Sequence, residues 1–202
     1  MFSHRKALIH SAKLIINEHV YLYIMTLKDT VRIVGNLMEL AARTAPKAVG
    51  QDYIETILLT DEQRVSIGNE MFKIAEEREN IGWKRDGQNV LDAEAVILIG
   101  LLSHKGVGLD CRACGYSSCN EFNQRSIAGD FDGPNCAIRC LDLGIALGSA
   151  AKIASDMNVD NRIMYRIGVA AKRLGIGKAV LSHGIPLSAT GKNIFFDRRP
   201  KG

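Results

Sequence analysis

The feature that most constrains how this chain can fold is a group of cysteines in its second half. Cys111, Cys114 and Cys119 lie within nine residues, and Cys136 follows after sixteen more. Three thiolates at such short spacing can wrap one face of an iron–sulfur cubane, and a distant fourth can complete its ligation. Gly115 lets the backbone curl at the tightest point of this loop. The spacing therefore predicts a [4Fe–4S] cluster with Cys111, Cys114, Cys119 and Cys136 as its ligands.

Two other interpretations of these cysteines stay open, a structural zinc site and unligated buried thiols. Zinc sites usually combine two closely spaced pairs of ligands, and the sequence has no second pair. The fifth cysteine, Cys140, follows Cys136 by four residues and is an alternative fourth ligand. We expect Cys140 to be a small core residue instead, because a free cysteine packs as a hydrophobic side chain.

The composition is that of a soluble globular protein. The chain has 202 residues, of which 47% are hydrophobic and 24% charged, enough to bury a sizeable core. No run approaches the roughly 18 apolar residues that span a bilayer, and no signal peptide is recognised, so no membrane association is predicted. We expect a cytoplasmic location, where thiols stay reduced and clustered cysteines indicate a metal. The net charge of +4 is spread along the chain, and no nucleic-acid partner is predicted.

The domain organisation expected from the sequence is simple. Residues 1–24 are interpreted as an N-terminal extension, and Met25 is an alternative start of translation. Residues 25–202 are expected to form a single α+β domain. The cysteine-rich stretch, at about 108–140, is expected to be an insertion between a core strand and a core helix.

Hydrophobic periodicity predicts alternating helices and strands. Apolar residues at three- and four-residue steps predict a helix from Thr26 to Arg43 that ends before Pro46. The continuous apolar run at 95–102 predicts a central strand buried on both faces. The other predicted strands are 53–59 and 179–183, and the other predicted helices are 61–75, 120–127, 141–157 and 161–174.

Three stretches are predicted to have no regular structure or only a capping role. The polar stretch 82–89 is interpreted as a loop, and 184–202 as an extended tail. Asp160 or Asn161 is expected to cap the helix that follows.

The cysteine stretch resembles the small [4Fe–4S] domain with the pattern C-x2-C-G-x3-C-x16-C, which occurs in electron-transfer subunits and corrinoid proteins. The match includes Gly115, Tyr116 and Phe122. Most of the chain, from about Met25 to Arg199, resembles a family of uncharacterised ferredoxin-domain proteins that is common in anaerobes. That resemblance implies a ferredoxin domain and no settled activity. The stretches that carry this resemblance are 41–47, 95–100, 133–136, 142–149, 159–165, 184–193 and 196–198.

A second resemblance is to the nitroreductase fold, an FMN-binding α+β homodimer. The similar features are a first helix that ends in an Ala-Pro loop at 45–46, the order of strands and helices, and a Gly-x-Pro-Leu stretch at 184–187. The resemblance implies a nitroreductase-like sheet with helices on its faces, a homodimer and bound FMN. In that family the Ala-Pro loop and basic residues from both ends of the chain hold the flavin phosphate, which makes candidates of Arg43, Lys47, Lys192 and Arg198.

The sequence also departs from the nitroreductase pattern. The usual Arg-Arg-Ser near the N-terminus is missing, Lys47 replaces the Ser after Ala-Pro, and the following Asn/Gln pair is reduced to Gln51. Ordinary roles for the candidates stay open: Arg43 at the end of a helix meets the helix dipole, and Lys192 and Arg198 lie in a polar tail.

The function expected from these features is that of an iron–sulfur redox protein. It would transfer electrons through the cluster to or from bound FMN and a small-molecule acceptor, as an FMN-dependent oxidoreductase of nitroreductase-like type. One alternative is a non-catalytic electron carrier or redox sensor that exchanges electrons with a partner protein. Another is an interaction module in which the metal only holds the loop. His104 is a candidate to tune the cluster, although we expect it to be an exposed loop residue.

Overall fold

The computed structural model describes residues 25–196, so the predicted extension at 1–24 and the candidate Arg198 lie outside the described residues. A short 3₁₀ turn covers Ala48–Gly50. The helices are α1 (Leu27–Thr44), α2 (Asp61–Glu77), α3 (Ile81–Asp92), α4 (Cys119–Asn123), α5 (Ala137–Asp156) and α6 (Tyr165–Arg173). The strands are β1 (Ile54–Leu58), β2 (Ala95–Leu101), β3 (Asp160–Asn161) and β4 (Leu181–Ser188).

The first two helices begin at capping boxes that the sequence encodes locally. The Thr26 hydroxyl accepts a hydrogen bond from the Asp29 N–H at 3.2 Å, and the Asp29 carboxylate accepts one from the Thr26 N–H at 2.8 Å. Thr60 and Gln63 make the same reciprocal pair at the start of α2. Such pairs satisfy backbone donors that have no partner inside the helix. The predicted helix at 26–43 is confirmed as α1, which ends just before Pro46.

The sheet is antiparallel and has the strand order β1-β2-β4-β3. Ile54 of β1 lies opposite Leu101 of β2, and Ala95 of β2 lies opposite Leu187 of β4. Every residue of β2 is buried, which confirms the predicted central strand. Its odd-numbered side chains from 95 to 101 pack in the core under α1 and α5. Val96 and Leu98 face the opposite core, which is formed with α2, α3 and α6. The mixed helix and sheet architecture confirms the predicted α+β class.

The stretch 82–89 is helical, and the prediction of a loop there was wrong. Asn80 caps α3 by accepting the Gly82 N–H at 2.9 Å. Trp83 packs in the core and is only 3% exposed. Asp86 is also buried, because Arg85 and Arg166 pair with its carboxylate. The buried Asp86 carboxylate is therefore satisfied by one arginine of the same helix and by Arg166 of α6, which the composition alone did not indicate.

The end of the chain also differs from the prediction, because β4 continues to Ser188 where an extended tail was expected. Gly184 and Pro186 suggest a loop, but both lie inside the strand. A Cβ at Gly184 would come within 2.1 Å of Ile167, so the close packing of α6 on β4 requires glycine at this position. Asp160 and Asn161 form β3 and do not cap a helix, and α6 begins only at Tyr165.

None of the helices between residues 25 and 196 is long and apolar enough to cross a membrane.

Candidate functional site

Residues 102–136, here called the cysteine segment, connect the central strand β2 to the start of α5. The Cys111 residue is exposed, Cys114 and Cys119 are partly buried, and Cys136 is buried immediately before α5. All five cysteines, including Cys140, are free thiols. The backbone takes left-handed conformations at Asp110, Arg112 and Gly115, and this curls the loop that carries the first three cysteines. The Gly133–Pro134 peptide bond, which precedes Cys136, is cis.

The four predicted ligands are not drawn together into a metal-binding group in this arrangement. Among residues 25–196, no three His, Cys, Asp or Glu side chains lie close enough together to hold a metal ion. The donor set itself fits an iron–sulfur cluster, because it supplies four reduced thiols at Cys₄ spacing on a curled loop and on the residue before α5. The ligand assignment therefore stays a prediction.

Cys119 is fixed on both sides by its neighbours in the cysteine segment. Its N–H donates to Asp110 Oδ1 at 2.6 Å, and it begins the short helix α4 after the cap at Ser118. The N–H of Gly106 donates to Asn123 Oδ1 at 2.8 Å, which lays the chain after β2 alongside α4. A Cβ at Gly106 would approach the Cys119 sulfur to 3.1 Å, so the thiol packs directly against this glycine.

His104 links the two ends of the cysteine segment. Its Nδ1 lies 2.9 Å from the Leu102 carbonyl oxygen, and its Nε2 lies 3.1 Å from the backbone nitrogen of Cys136. Because an amide N–H can only donate, Nε2 must be the acceptor and the ring proton must lie on Nδ1. Burial lowers the pKa of His104, which favours this neutral form. The expectation that His104 is an exposed loop residue was wrong.

Aromatic side chains surround His104. Its ring stacks on Phe122, with 6.2 Å between ring centroids, and meets the edge of Tyr53 at the same centroid separation. Phe122 also contacts Tyr116 edge to face, at 5.9 Å between centroids. Phe122 therefore packs against the residue that binds the Cys136 amide, and Tyr116 packs on Phe122; both are part of the predicted iron–sulfur pattern.

Arg139, one turn after Cys136, ties the Ala-Pro loop to α5. The arginine is 1% exposed, and its Nη1 donates to the Ala48 carbonyl oxygen at 3.0 Å and to Asp142 Oδ2 at 3.1 Å. Its Nη2 donates to Gln51 Oε1 at 2.5 Å, and Asp142 Oδ1 accepts the Ala48 N–H at 2.9 Å. The sequence alone did not predict this pair of Arg139 and Asp142. Its only signal was an arginine and an aspartate three residues apart in a helix of mostly apolar and small residues.

The structure brings two of the four phosphate candidates together. Arg43 pairs with Asp52 at 3.2 Å and donates to the Ile54 carbonyl oxygen. Lys47, whose side chain is 7% exposed, donates to the Ala42 carbonyl oxygen at 3.0 Å and also to that of Arg43. Lys192 lies after β4, where the Thr190 hydroxyl donates to its carbonyl oxygen at 2.9 Å. The fourth candidate, Arg198, lies beyond the described residues.

A cavity of about 550 Å³ lies between the start of β1 and the cysteine segment. Its wall passes from the ring of Tyr53 to the turn that precedes Cys136. Volumes of 300–1,000 Å³ are typical of small-molecule sites. The lining includes Tyr53, His104, Lys105, Phe122, Arg125 and Asn135.

Residues 130–131 of the cysteine segment are held against the end of α2 and the start of α6. Arg78, the residue that follows α2, forms a bidentate ion pair with Asp130, and the Tyr165 hydroxyl of α6 also donates to this carboxylate. Hydrogen bonds from Arg78 and Tyr165 lower the pKa of Asp130 to about 2. Phe131 packs edge to face on Tyr165, at 5.4 Å between ring centroids.

Cys140 has the surroundings of a core residue. It packs against the hydrophobic core under α1 and α5, and its N–H donates to the Cys136 carbonyl oxygen at 2.9 Å within the helix. Burial, with a smaller contribution from neighbouring Cys136, raises the pKa of the Cys140 thiol. Since a metal ligand must be a thiolate, this environment favours Cys140 less as a ligand.

Two comparisons with known sequences place the chain in a family. An uncharacterized protein of Archaeoglobus fulgidus is 46% identical over 174 residues, which are 86% of this chain and 94% of that protein. The sequence profile of a family described as "Uncharacterized protein containing a ferredoxin domain" matches residues 132–198. This matched stretch includes Cys136 and begins after the first three cysteines.

Solved structures show where the fold recurs. A BluB-like flavoprotein from Clostridium difficile 630 superposes with a TM-score of 0.53 at 13% identity, covering 92% of this chain and 87% of that one. An NADPH:FMN oxidoreductase from Vibrio harveyi gives a TM-score of 0.50 at 12% identity, covering 84% of this chain and 63% of that one. The chain thus spans less than two thirds of the Vibrio enzyme. These likenesses confirm the predicted nitroreductase-like fold, and by sequence the chain belongs to the family of uncharacterised proteins that contain a ferredoxin domain.

Proposed function

We propose that this protein is a redox protein that passes single electrons through a [4Fe–4S] cluster held by Cys111, Cys114, Cys119 and Cys136. The observation that carries the proposal is the position of Cys136. It is buried at the start of α5, and its amide is bound to His104 in the same segment that carries the other three cysteines. The ferredoxin-domain family and the nitroreductase-like fold both support a redox role.

The protein's own contribution is to position the ligands and keep water from part of the site. His104 holds the backbone N–H of Cys136, and Asp110 holds that of Cys119. Arg139 ties the first turn of α5 to the loop at Ala48. Amide and side-chain contacts of this kind orient metal ligands and set the potential of a bound cluster. Cys136 is 5% exposed, so at least one ligand would lie away from solvent.

We further propose that FMN binds at the Ala-Pro loop, with Arg43 and Lys47 near its phosphate and Lys192 and Arg198 as further contacts. When bound, FMN exchanges both hydride pairs and single electrons, which suits a site next to a cluster. Arg139, which follows Cys136 by three residues, hydrogen-bonds the carbonyl oxygen of Ala48 in this loop. This contact supports a flavin site close to the cluster. The structural neighbour from Vibrio harveyi is an NADPH:FMN oxidoreductase, which also supports the proposal.

One observation favours the flavin-free alternative, an electron carrier or redox sensor. Arg43 and Lys47 are already engaged by Asp52 and by backbone carbonyls, so a phosphate would have to compete for them. Flavin content separates the two functions. A yellow, fluorescent supernatant after acid denaturation supports the flavin enzyme, and a colourless one supports the carrier.

The test of the proposed function is anaerobic purification of the full chain, with iron, sulfide, zinc and flavin analysis and with absorption and EPR spectra. We expect a brown protein that bleaches with dithionite and contains about four iron atoms per chain, as one cubane requires. Zinc in place of iron would instead indicate an interaction module in which the metal only holds the loop. A metal-free protein would contradict both interpretations.

We also propose that the protein is a homodimer, joined through the outer faces of α1 and α5. These two helices pack side by side over one face of the sheet. The faces that point away from the core are normally polar, but here they carry exposed Ile33, Leu37 and Leu40 on α1, and Leu141 and Ile145 on α5. Exposed apolar patches of this kind mark protein–protein contacts.

A further inference from the structure

The cavity between the start of β1 and the cysteine segment is lined by exposed side chains whose hydrogen-bond donors lack partners. The hydroxyls of Ser103 and Ser126 and the ammonium of Lys105 make no hydrogen bond or ion pair among residues 25–196. The side chain of Asn123 accepts the Gly106 N–H through Oδ1 at 2.8 Å, and its Nδ2 donates to no other described residue. All four of these lining residues are exposed, so a ligand can reach them.

The acceptors of the same lining are engaged or enclosed. Asp132 Oδ1 accepts from the Lys172 ammonium at 2.7 Å, and His104 Nε2 accepts the Cys136 N–H at 3.1 Å. The Asn135 Oδ1 atom is enclosed and out of reach of a ligand. A molecule in the cavity therefore meets mainly donors, and a group that is rich in acceptor oxygens satisfies them best.

The charges of the lining favour an anion. Lys105 and Arg125 are basic, and Asp132, the acidic side chain in the described lining, is balanced by Lys172. Arg125 donates to Glu121 through Nη2 alone, at 3.3 Å. A guanidinium has five N–H donors, so most of those of Arg125 stay available to a ligand. An excess of positive charge along a cavity raises the local concentration of anions.

From the free donors, the engaged acceptors and the positive charge we propose that this cavity binds a phosphate group. A phosphomonoester carries about two negative charges near neutral pH and three strong acceptor oxygens. Lys105 and Arg125 balance its charge, and Ser103 and Ser126 donate to its oxygens, because charge-assisted hydrogen bonds are the stronger ones. The volume of about 550 Å³ leaves room for a small organic group on the phosphate.

This site is separate from the two cofactor sites proposed above. The cavity lining includes none of the predicted cluster ligands and none of the described flavin-phosphate candidates. Binding of a phosphate group here therefore requires neither cofactor, and the inference goes beyond the proposed redox function.

The test is titration calorimetry of the full chain, purified anaerobically in phosphate-free buffer, with inorganic phosphate and glycerol 3-phosphate as probes. The ionic strength is held constant, because salt screens exposed charges. We expect saturable binding of both probes with a Kd below about 5 mM. Tighter binding of glycerol 3-phosphate would identify a phosphomonoester as the ligand, and equal or weaker binding would identify free phosphate. Acetate, with a single charge, is expected to bind about five-fold more weakly than phosphate.

The matched variants are Lys105→Met, Arg125→Met and Lys152→Met. Lys105 is exposed and unpaired in the described part of the chain, and Arg125 has only its exposed pair there, so both substitutions should leave the fold intact. Lys152 is an exposed lysine of α5 whose single ion pair within residues 25–196 is with Asp156, and it does not line the cavity. We expect the first two variants each to weaken phosphate binding about five-fold and Lys152→Met to leave it unchanged.

Three results would overturn the inference: no saturable binding of phosphate, equal binding of acetate, or wild-type affinity in both Lys105→Met and Arg125→Met. The last result would assign the bound phosphate to another place on the protein. Iron and flavin analysis of the same samples keeps this outcome separate from the proposed function. Phosphate binding by a protein without iron or flavin would support the cavity site and contradict the proposed cofactors. A loaded protein that does not bind phosphate would do the reverse.

Discussion

The backbone N–H of Cys136 donates to Nε2 of His104, a residue that lies 32 positions earlier in the chain. The same imidazole ring bonds the Leu102 carbonyl through Nδ1, so one side chain satisfies backbone groups at both ends of the cysteine segment. Because the Cys136 residue is 5% exposed, its amide has little access to water as a replacement partner. The loss of stability on replacing His104 should therefore depend on whether the new side chain can accept a hydrogen bond from Cys136.

Replacing His104 with leucine is expected to destabilise the protein more than replacing it with glutamine. Leucine leaves the buried Cys136 amide without an acceptor, which costs about 1–3 kcal/mol in free energy of unfolding. Glutamine offers both an oxygen to accept from Cys136 and an N–H to donate to Leu102. Urea unfolding of the two variants measures the difference, and equal stabilities would show that the hydrogen bond has no structural role.

Serine substitutions of the cysteines test the ligand assignment. Cys119→Ser and Cys136→Ser are expected to lose iron, whereas Cys140→Ser is expected to keep it, because the Cys140 thiol packs against the core and its pKa is raised by burial. Iron and sulfide analysis of anaerobically purified variants gives the result. If Cys140→Ser lost as much iron as Cys136→Ser, the choice between these two as the fourth ligand would be wrong.

Arg139→Met is expected to lower the free energy of unfolding by about 3–5 kcal/mol, because it leaves the buried Asp142 carboxylate without its cation. The double variant Arg139→Met/Asp142→Leu removes both charges and should recover part of that loss. The two unfolding curves in urea provide the measurement. A double variant as unstable as the single one would mean that the hydrogen bonds to Ala48 and Gln51, and not the ion pair, dominate.

Asp130 is expected to make stability depend on pH in the acid range. Its pKa is lowered from 3.8 to about 2 in the folded protein, so the folded state binds fewer protons than the unfolded chain. The contribution is therefore complete above about pH 4 and is lost as the pH falls through 2. With a side chain 30% exposed, solvent screening reduces this contribution to about 1–2 kcal/mol.

The measurement for Asp130 is the urea unfolding free energy of Asp130→Asn at neutral pH and between pH 4 and 2. We expect the variant to be less stable at neutral pH and to show a flatter acid dependence than the wild type. Asp156→Asn is the control, because the single ion pair that Asp156 forms within residues 25–196 is an exposed one with Lys152. Parallel pH profiles for the wild type and Asp130→Asn would contradict the prediction.

The outer face of α1 and α5 gives a prediction about assembly. Leu40→Glu places a charge on an apolar surface where the leucine is 60% exposed, and we expect it to convert a dimer into a monomer. Ile81→Glu is the matched control, since Ile81 is 85% exposed on α3, which packs on the other side of the sheet. Sedimentation velocity measures both variants, and a monomeric wild-type protein would reject the proposed interface.

The sequence predicted those elements whose signals are local. Thr26 and Pro46 mark the two ends of α1, and the unbroken apolar run of β2 indicated a strand buried on both faces. The same local reasoning located the start of β4 but ended the strand at 183, because Gly184 and Pro186 resemble loop residues. Only the tertiary contact shows why glycine is needed there, since Ile167 of α6 occupies the space of a Cβ.

The candidate site shows the same division. The spacing of the cysteines was visible along the chain, and so was the link between the third and fourth through a short helix. The role of the buried Arg139 was not visible in the sequence, because its partners Ala48 and Gln51 lie 91 and 88 positions earlier. The role of His104 depended on its contact with Cys136, which no spacing rule indicates.

The two hydrogen bonds that His104 makes to Leu102 and Cys136 have a consequence for how the sequence between them can vary. The cysteine segment begins at the end of β2 and ends at the start of α5, and one imidazole bonds the backbone at both ends. Changes in the stretch 105–129 keep Phe131, which packs against the core formed with α2, α3 and α6, and are expected to leave the sheet unchanged. The same fold can therefore carry different segments between β2 and α5, with a different metal centre or with none.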